Sequence, residues 1–140
     1  MTLAAEAGSG QDALATFCRR LPALAGLPDL LANHPSPFRL AGDDTFLDIA
    51  CDEPVRGRVN RSHLRMTAAA DLLVVFYRAG RGPGGGSYGY GGLAARPERL
   101  RAEQVRAWLD YLASGFAEEA APRGMQTSFQ YPVPAGGETP

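Results

Sequence analysis

"TFLDIAC" (residues 45–51) changes side-chain character at every step: Leu47, Ile49 and Cys51 fall on one face, Phe46, Asp48 and Ala50 on the other. A two-residue period marks a half-buried β-strand, because successive strand side chains point to opposite sides. Gly42-Asp43-Asp44 before it supplies turn chemistry and leads back to a short strand near 38–40. "VNRSHLRM" (residues 59–66) alternates too, setting Asn60, Ser62, Leu64 and Met66 against Val59, Arg61, His63 and Arg65. Antiparallel pairing of the two stretches puts Arg61, His63 and Arg65 across from Asp48 and Asp52, as cross-strand charge pairs. The apolar run at 72–77 reads as a central strand covered on both faces.

Helical periodicity flanks these strands. Ser9 and Asp12 fit a capping box ahead of Leu14, Phe17, Cys18 and Leu21, which predicts a helix over 10–21. Pro28 suits the first position of a short helix ending at Asn33. Val105, Trp108, Leu109, Leu112 and Phe116 form one apolar stripe on a helix over 97–120, with Trp108 in the core. Phe129, Tyr131 and Val133 alternate as a last edge strand would. The fold class expected is α+β: a small antiparallel sheet of about four to five strands, with an N-terminal and a C-terminal helix packed on one face. Residues 1–140 form a single domain in this reading, and 134–140 a flexible tail. By the order of its elements, though by no motif, the chain resembles small secretion chaperones and immunity proteins; that resemblance implies an adaptor that binds another protein.

Composition removes several chemistries. The chain contains no lysine, so Schiff-base catalysis and a P-loop lysine are excluded. Cys18, His34, Cys51 and His63 lack zinc-ligand spacing, so no metal site is expected, nor any cofactor. The two cysteines read as buried free thiols, and His34, between Asn33 and Pro35, as a surface residue. The N-terminus has no basic region followed by a long apolar one, and no apolar stretch is long enough to span a membrane. The expectation is a soluble cytoplasmic protein.

The net charge of −1 conceals a division along the chain. Residues 1–55 hold three arginines against eight acids, residues 56–106 ten against three, and residues 107–140 one against four. A basic middle between acidic flanks is either neutralised by them or meets an anionic partner.

The glycine-rich stretch "RAGRGPGGGSYGYGG" (residues 78–92) matches two famous patterns in the wrong context. Gly80-Arg81-Gly82-Pro83-Gly84-Gly85 has the dinucleotide glycine spacing, but a proline interrupts it and no helix opens after it. Gly85-Gly86-Ser87-Tyr88-Gly89 imitates a nucleophile elbow, yet both histidines precede the serine. The segment reads first as a hairpin connection.

Its arginines and tyrosines support a second reading, as an anion or nucleic-acid site. The candidate ligand- or partner-binding residues are Arg61, His63, Arg65, Arg78, Arg81, Tyr88, Tyr90, Arg96 and Arg99. A third reading makes a small enzyme around His63, Asp48 and Asp52, although no nucleophile is evident and no catalytic residue is assigned. The function expected first is non-enzymatic binding of another protein; nothing in the sequence fixes the oligomeric state.

Overall fold

A computed structural model describes residues 2–55, 58–79 and 87–126, with side chains at 2–9, 53–60, 79 and 87–90 left aside. Among these residues, five antiparallel strands pair in chain order as a meander: β1 (Arg39–Gly42), β2 (Phe46–Val55), β3 (Arg58–Ala68), β4 (Leu72–Ala79) and β5 (Ser87–Ala95). Helices α1 (Thr2–Arg20), α2 (Leu27–Asn33) and α3 (Ala102–Ala113) complete an α+β fold. α1 lies over β1 and β2, α3 over β2 and β3, and α2 packs against α3.

The strand alternation decides where the core sits. Leu47 and Ile49 of β2, Leu64 and Met66 of β3, and Leu72, Val74 and Phe76 of β4 share one face, buried with Phe17 of α1 and Trp108, Leu109 and Leu112 of α3. Burying each such side chain contributes about 1.5–3 kcal/mol, which makes this layer the main source of stability. The opposite face carries Phe46, Asp48 and Asp52 of β2, Arg61, His63 and Arg65 of β3, and Leu73, Val75 and Tyr77 of β4. This is the outer face of the sheet.

Several boundaries depart from the sequence reading. α1 begins at Thr2 rather than near residue 10, so Ser9 and Asp12 lie inside it and do not cap it. Gly10 sits where α1 meets β1: a β-carbon would stand 2.6 Å from the Leu40 carbonyl oxygen, so glycine lets the helix press onto the strand. α3 spans only Ala102–Ala113, preceded by a 3₁₀ turn at Pro97–Arg99. Gly115 and Phe116 adopt φ of 73° and 66°, which ends the helix and folds Phe116 back onto Phe76, ring centroids 6.1 Å apart. Phe116 is therefore core without being helical.

Leu73 is 44% exposed, so β4 is covered on one face at that position and not on both.

The largest departure is β5. Ser87–Ala95 is a nine-residue strand, although its residues 87–92 belong to the stretch read from sequence as a connection. Beyond it Gln126 adds a further bridge: the Gly92 amide donates to the Gln126 carbonyl at 2.9 Å, and the Gln126 amide to that of Gly92 at 2.8 Å. The edge strand expected at 129–133 lies outside the described residues, as does the tail at 134–140.

Candidate functional site

The outer face gathers the charged side chains of β2 and β3 around two carboxylates. Register sets Asp48 opposite Arg65, Ala50 opposite His63 and Asp52 opposite Arg61, while His63 in turn faces Tyr77 on β4. The cross-strand charge pairs anticipated from alternation are present.

Asp48, 5% exposed, is the hub. One carboxylate oxygen accepts from Nδ1 of His63 at 2.7 Å; the other accepts from the Tyr77 hydroxyl at 2.6 Å and from Nε of Arg65 at 3.2 Å. Burial, the largest single influence, drives the Asp48 carboxyl upward. The His63 hydrogen bond and charge, the Tyr77 hydroxyl and the Arg65 guanidinium together outweigh it and hold the group below the usual carboxylate range. Asp52 is also held low, first by the hydrogen bond from Nε of Arg61 at 2.8 Å, against a smaller upward push from burial, with Arg39 assisting.

The rings are fixed as well. His63 stacks on Tyr77 with centroids 4.5 Å apart and planes within 6°, and the Arg65 guanidinium lies 4.2 Å from the centre of the Phe46 ring. A carboxylate only accepts, so Nδ1 of His63 carries a proton and Nε2 is the nitrogen left over. The His63 side chain is 15% exposed, and Nε2 has no hydrogen-bond partner among the described residues.

The other candidate residues lie elsewhere. Arg78 turns to the helical layer, donating to the Gly115 carbonyl at 3.2 Å with its guanidinium 5.5 Å from the Phe116 ring. Arg96 and Arg99 are exposed near the 3₁₀ turn after β5, roughly 23 Å along that strand from Tyr88. The Tyr88 and Tyr90 backbones belong to β5, their side chains are not described, and Arg81 lies outside the described residues. Arg78, Arg96 and Arg99 do not converge on one place.

His34 is not the surface residue its turn setting suggests. Its side chain is 5% exposed, accepting the Ser36 amide on Nδ1 at 3.1 Å and meeting Asp110 through Nε2 at 2.8 Å. It helps wall a shallow groove of about 410 Å³ with Leu14, Leu31, Pro35, Phe38 and Leu40, but with both nitrogens spent it offers no free base there. Cys18 and Cys51 form no disulfide and are half-buried rather than fully buried; burial pushes the Cys18 thiol up. Among the described residues no three His, Cys, Asp or Glu side chains are grouped to hold a metal ion.

Sequence reasoning missed Tyr77 and Arg39. The signal for Tyr77 was available: a tight β3–β4 hairpin at 69–71 puts residue 77 across from 63. Comparison with known proteins finds no family model that matches the chain, and no match among curated proteins or solved structures.

Proposed function

We propose that the chain is a non-enzymatic, chaperone-like or immunity-like protein-binding module that presents the outer face of its sheet to another protein. The observation that carries this reading is internal neutralisation: Asp52 holds Arg39 and Arg61, and Asp48 holds Arg65 and His63. Three arginines therefore stand pre-oriented by two acids of β2, at little cost in side-chain entropy on binding. Phe46, Leu73 and Val75 lie among them on the same face. Arginine and aromatic side chains on a stiff, partly apolar surface are what protein interfaces favour at their centres. No helix among the described residues is long and apolar enough to cross a membrane, and two cysteines kept as thiols suit a reducing compartment; the proposal places the protein in the cytoplasm.

The test is capture from the native cell followed by reconstitution with the purified partner. Wild-type chain is expected to bind one protein saturably, with affinity nearly flat between about 50 and 200 mM salt. Leu73→Glu and Val75→Glu are expected to weaken it at least tenfold. Binding indifferent to both substitutions would reject the outer face as the contact surface.

A second reading, of the same face as an oxyanion site, rests on what the ion pairs leave over. Arg61 and Arg65 spend Nε on Asp52 and Asp48, and their Nη groups make no hydrogen bond among the described residues. Titrating inorganic phosphate into the chain is expected to shift the His63 ring signals under this reading and to leave those of His34 in place.

A further inference from the structure

The chain has two histidines, and they are held in different ways. His34 uses both ring nitrogens internally. His63 uses one: Nδ1 is bonded to Asp48, the ring is clamped flat against Tyr77, and Nε2 has no hydrogen-bond partner among the described residues. Arg61 and Arg65 stand two residues before and after it on the same strand face, about 6.7 Å away along β3 in each direction. Their Nη groups are unspent among the described residues. A basic nitrogen in a fixed orientation, with a buried carboxylate behind it and a guanidinium on either side, suits attack on an anionic electrophile.

We propose that His63 accepts a phosphoryl group on Nε2 from a small acyl phosphate or phosphoramidate, with Arg61 and Arg65 holding the phosphoryl oxygens. This rests on the oxyanion reading of the face and adds a covalent step to it. The Nε2 lone pair attacks phosphorus, and an N–P bond forms. The P–O bond to the acyl group breaks, and its electron pair leaves with the carboxylate. From phosphoramidate the P–N bond breaks instead, and ammonia leaves. The proton on Nδ1 stays on the ring, which becomes cationic, and the Asp48 carboxylate opposite balances that charge. No oxidant, reductant or metal ion enters the balance.

The experiment incubates the full chain with acetyl phosphate, and separately with phosphoramidate, and follows intact mass, the position of the label by fragmentation, and the N–P resonance in phosphorus NMR. One acid-labile phosphoryl group is expected on His63. With phosphoramidate it should appear at least tenfold faster than on the same residue in urea-unfolded chain. Arg61→Gln and Arg65→Gln are each expected to slow labelling about tenfold or more. His34→Gln should label as wild type does. The wild-type fragmentation map carries the decision, so it does not depend on whether a His63 variant folds. No label at His63 from either donor, or a folded rate no greater than the unfolded one, would overturn the proposal. If phosphate shifts the His63 signals but neither donor labels it, the oxyanion reading stands and the covalent step falls. If phosphate leaves those signals unmoved, both fall.

Discussion

His63 and Tyr77, fourteen positions apart in the chain, lie face to face on neighbouring strands with ring centroids 4.5 Å apart, and both bond the one carboxylate of Asp48. Three strands are locked together on the outer face by this arrangement, without help from the helices. Asp48→Ala would leave a guanidinium, an imidazole and a buried hydroxyl without their shared acceptor, and is expected to cost about 3–5 kcal/mol. Tyr77→Phe removes one donor and keeps the stacking, so about 1.5–3 kcal/mol is expected. Urea midpoints of the two variants should fall in that order; a Tyr77→Phe variant less stable than Asp48→Ala would contradict the hub.

Acid should loosen the same face. The carboxyls of Asp48 and Asp52 are held below their unfolded values, so their contribution is complete above the ordinary carboxylate range, about pH 4, and is lost as pH falls through the depressed folded values. Stability measured by urea is expected to fall below about pH 4 and to fall less steeply in Asp52→Asn. An unchanged acid slope in that variant would show that Asp52 is not among the carboxyls responsible.

Ser62 is 1% exposed on the helix-facing side of β3, and its hydroxyl has no hydrogen-bond partner among the described residues. Removing a buried donor that bonds nothing relieves its desolvation cost. Ser62→Ala is therefore expected to leave stability unchanged or raise it by up to about 1 kcal/mol. A loss above 1 kcal/mol would reveal a partner for that hydroxyl.

Gly91 lies where the segment at Gln126 pairs alongside β5. A β-carbon there would stand 2.9 Å from the Gln126 carbonyl oxygen and 2.9 Å from the Met125 side chain. Gly91→Ala is expected to push Gln126 off the strand, at a cost of about 1–2 kcal/mol. Faster hydrogen exchange at the Gly92 amide checks it; unchanged protection there would refute the close approach.

Gly91 also shows why this part of the fold was hard to read. A strand is normally recognised by β-branched and aromatic side chains. β5 carries Gly89, Gly91 and Gly92, and at Gly91 the missing side chain serves a neighbouring backbone, a requirement invisible in local sequence. β2 and β3 were legible because each alternates, setting its large aliphatic side chains on one face and its charged ones on the other. Their alternation also placed Asp48, Asp52, Arg61, His63 and Arg65 together. Tyr77 escaped because an uninterrupted apolar run shows no alternation of its own; only pairing it through the tight turn at 69–71 sets residue 77 across from His63. The third helix was overextended because Phe116 falls on the stripe by spacing, while two consecutive left-handed residues had already ended the helix. His34 was misplaced because its partner, Asp110, is 76 residues away.

The tautomers of the two histidines test the outer-face arrangement most directly. With both rings neutral in alkaline buffer, long-range ¹H–¹⁵N spectra should show His63 protonated on Nδ1 and bare on Nε2, because Asp48 accepts at the former. His34 should show the reverse, because the Ser36 amide donates to its Nδ1. A His63 ring protonated on Nε2, or exchanging between the two forms, would mean that Asp48 does not hold it, and the reading of this face as pre-paired would fail.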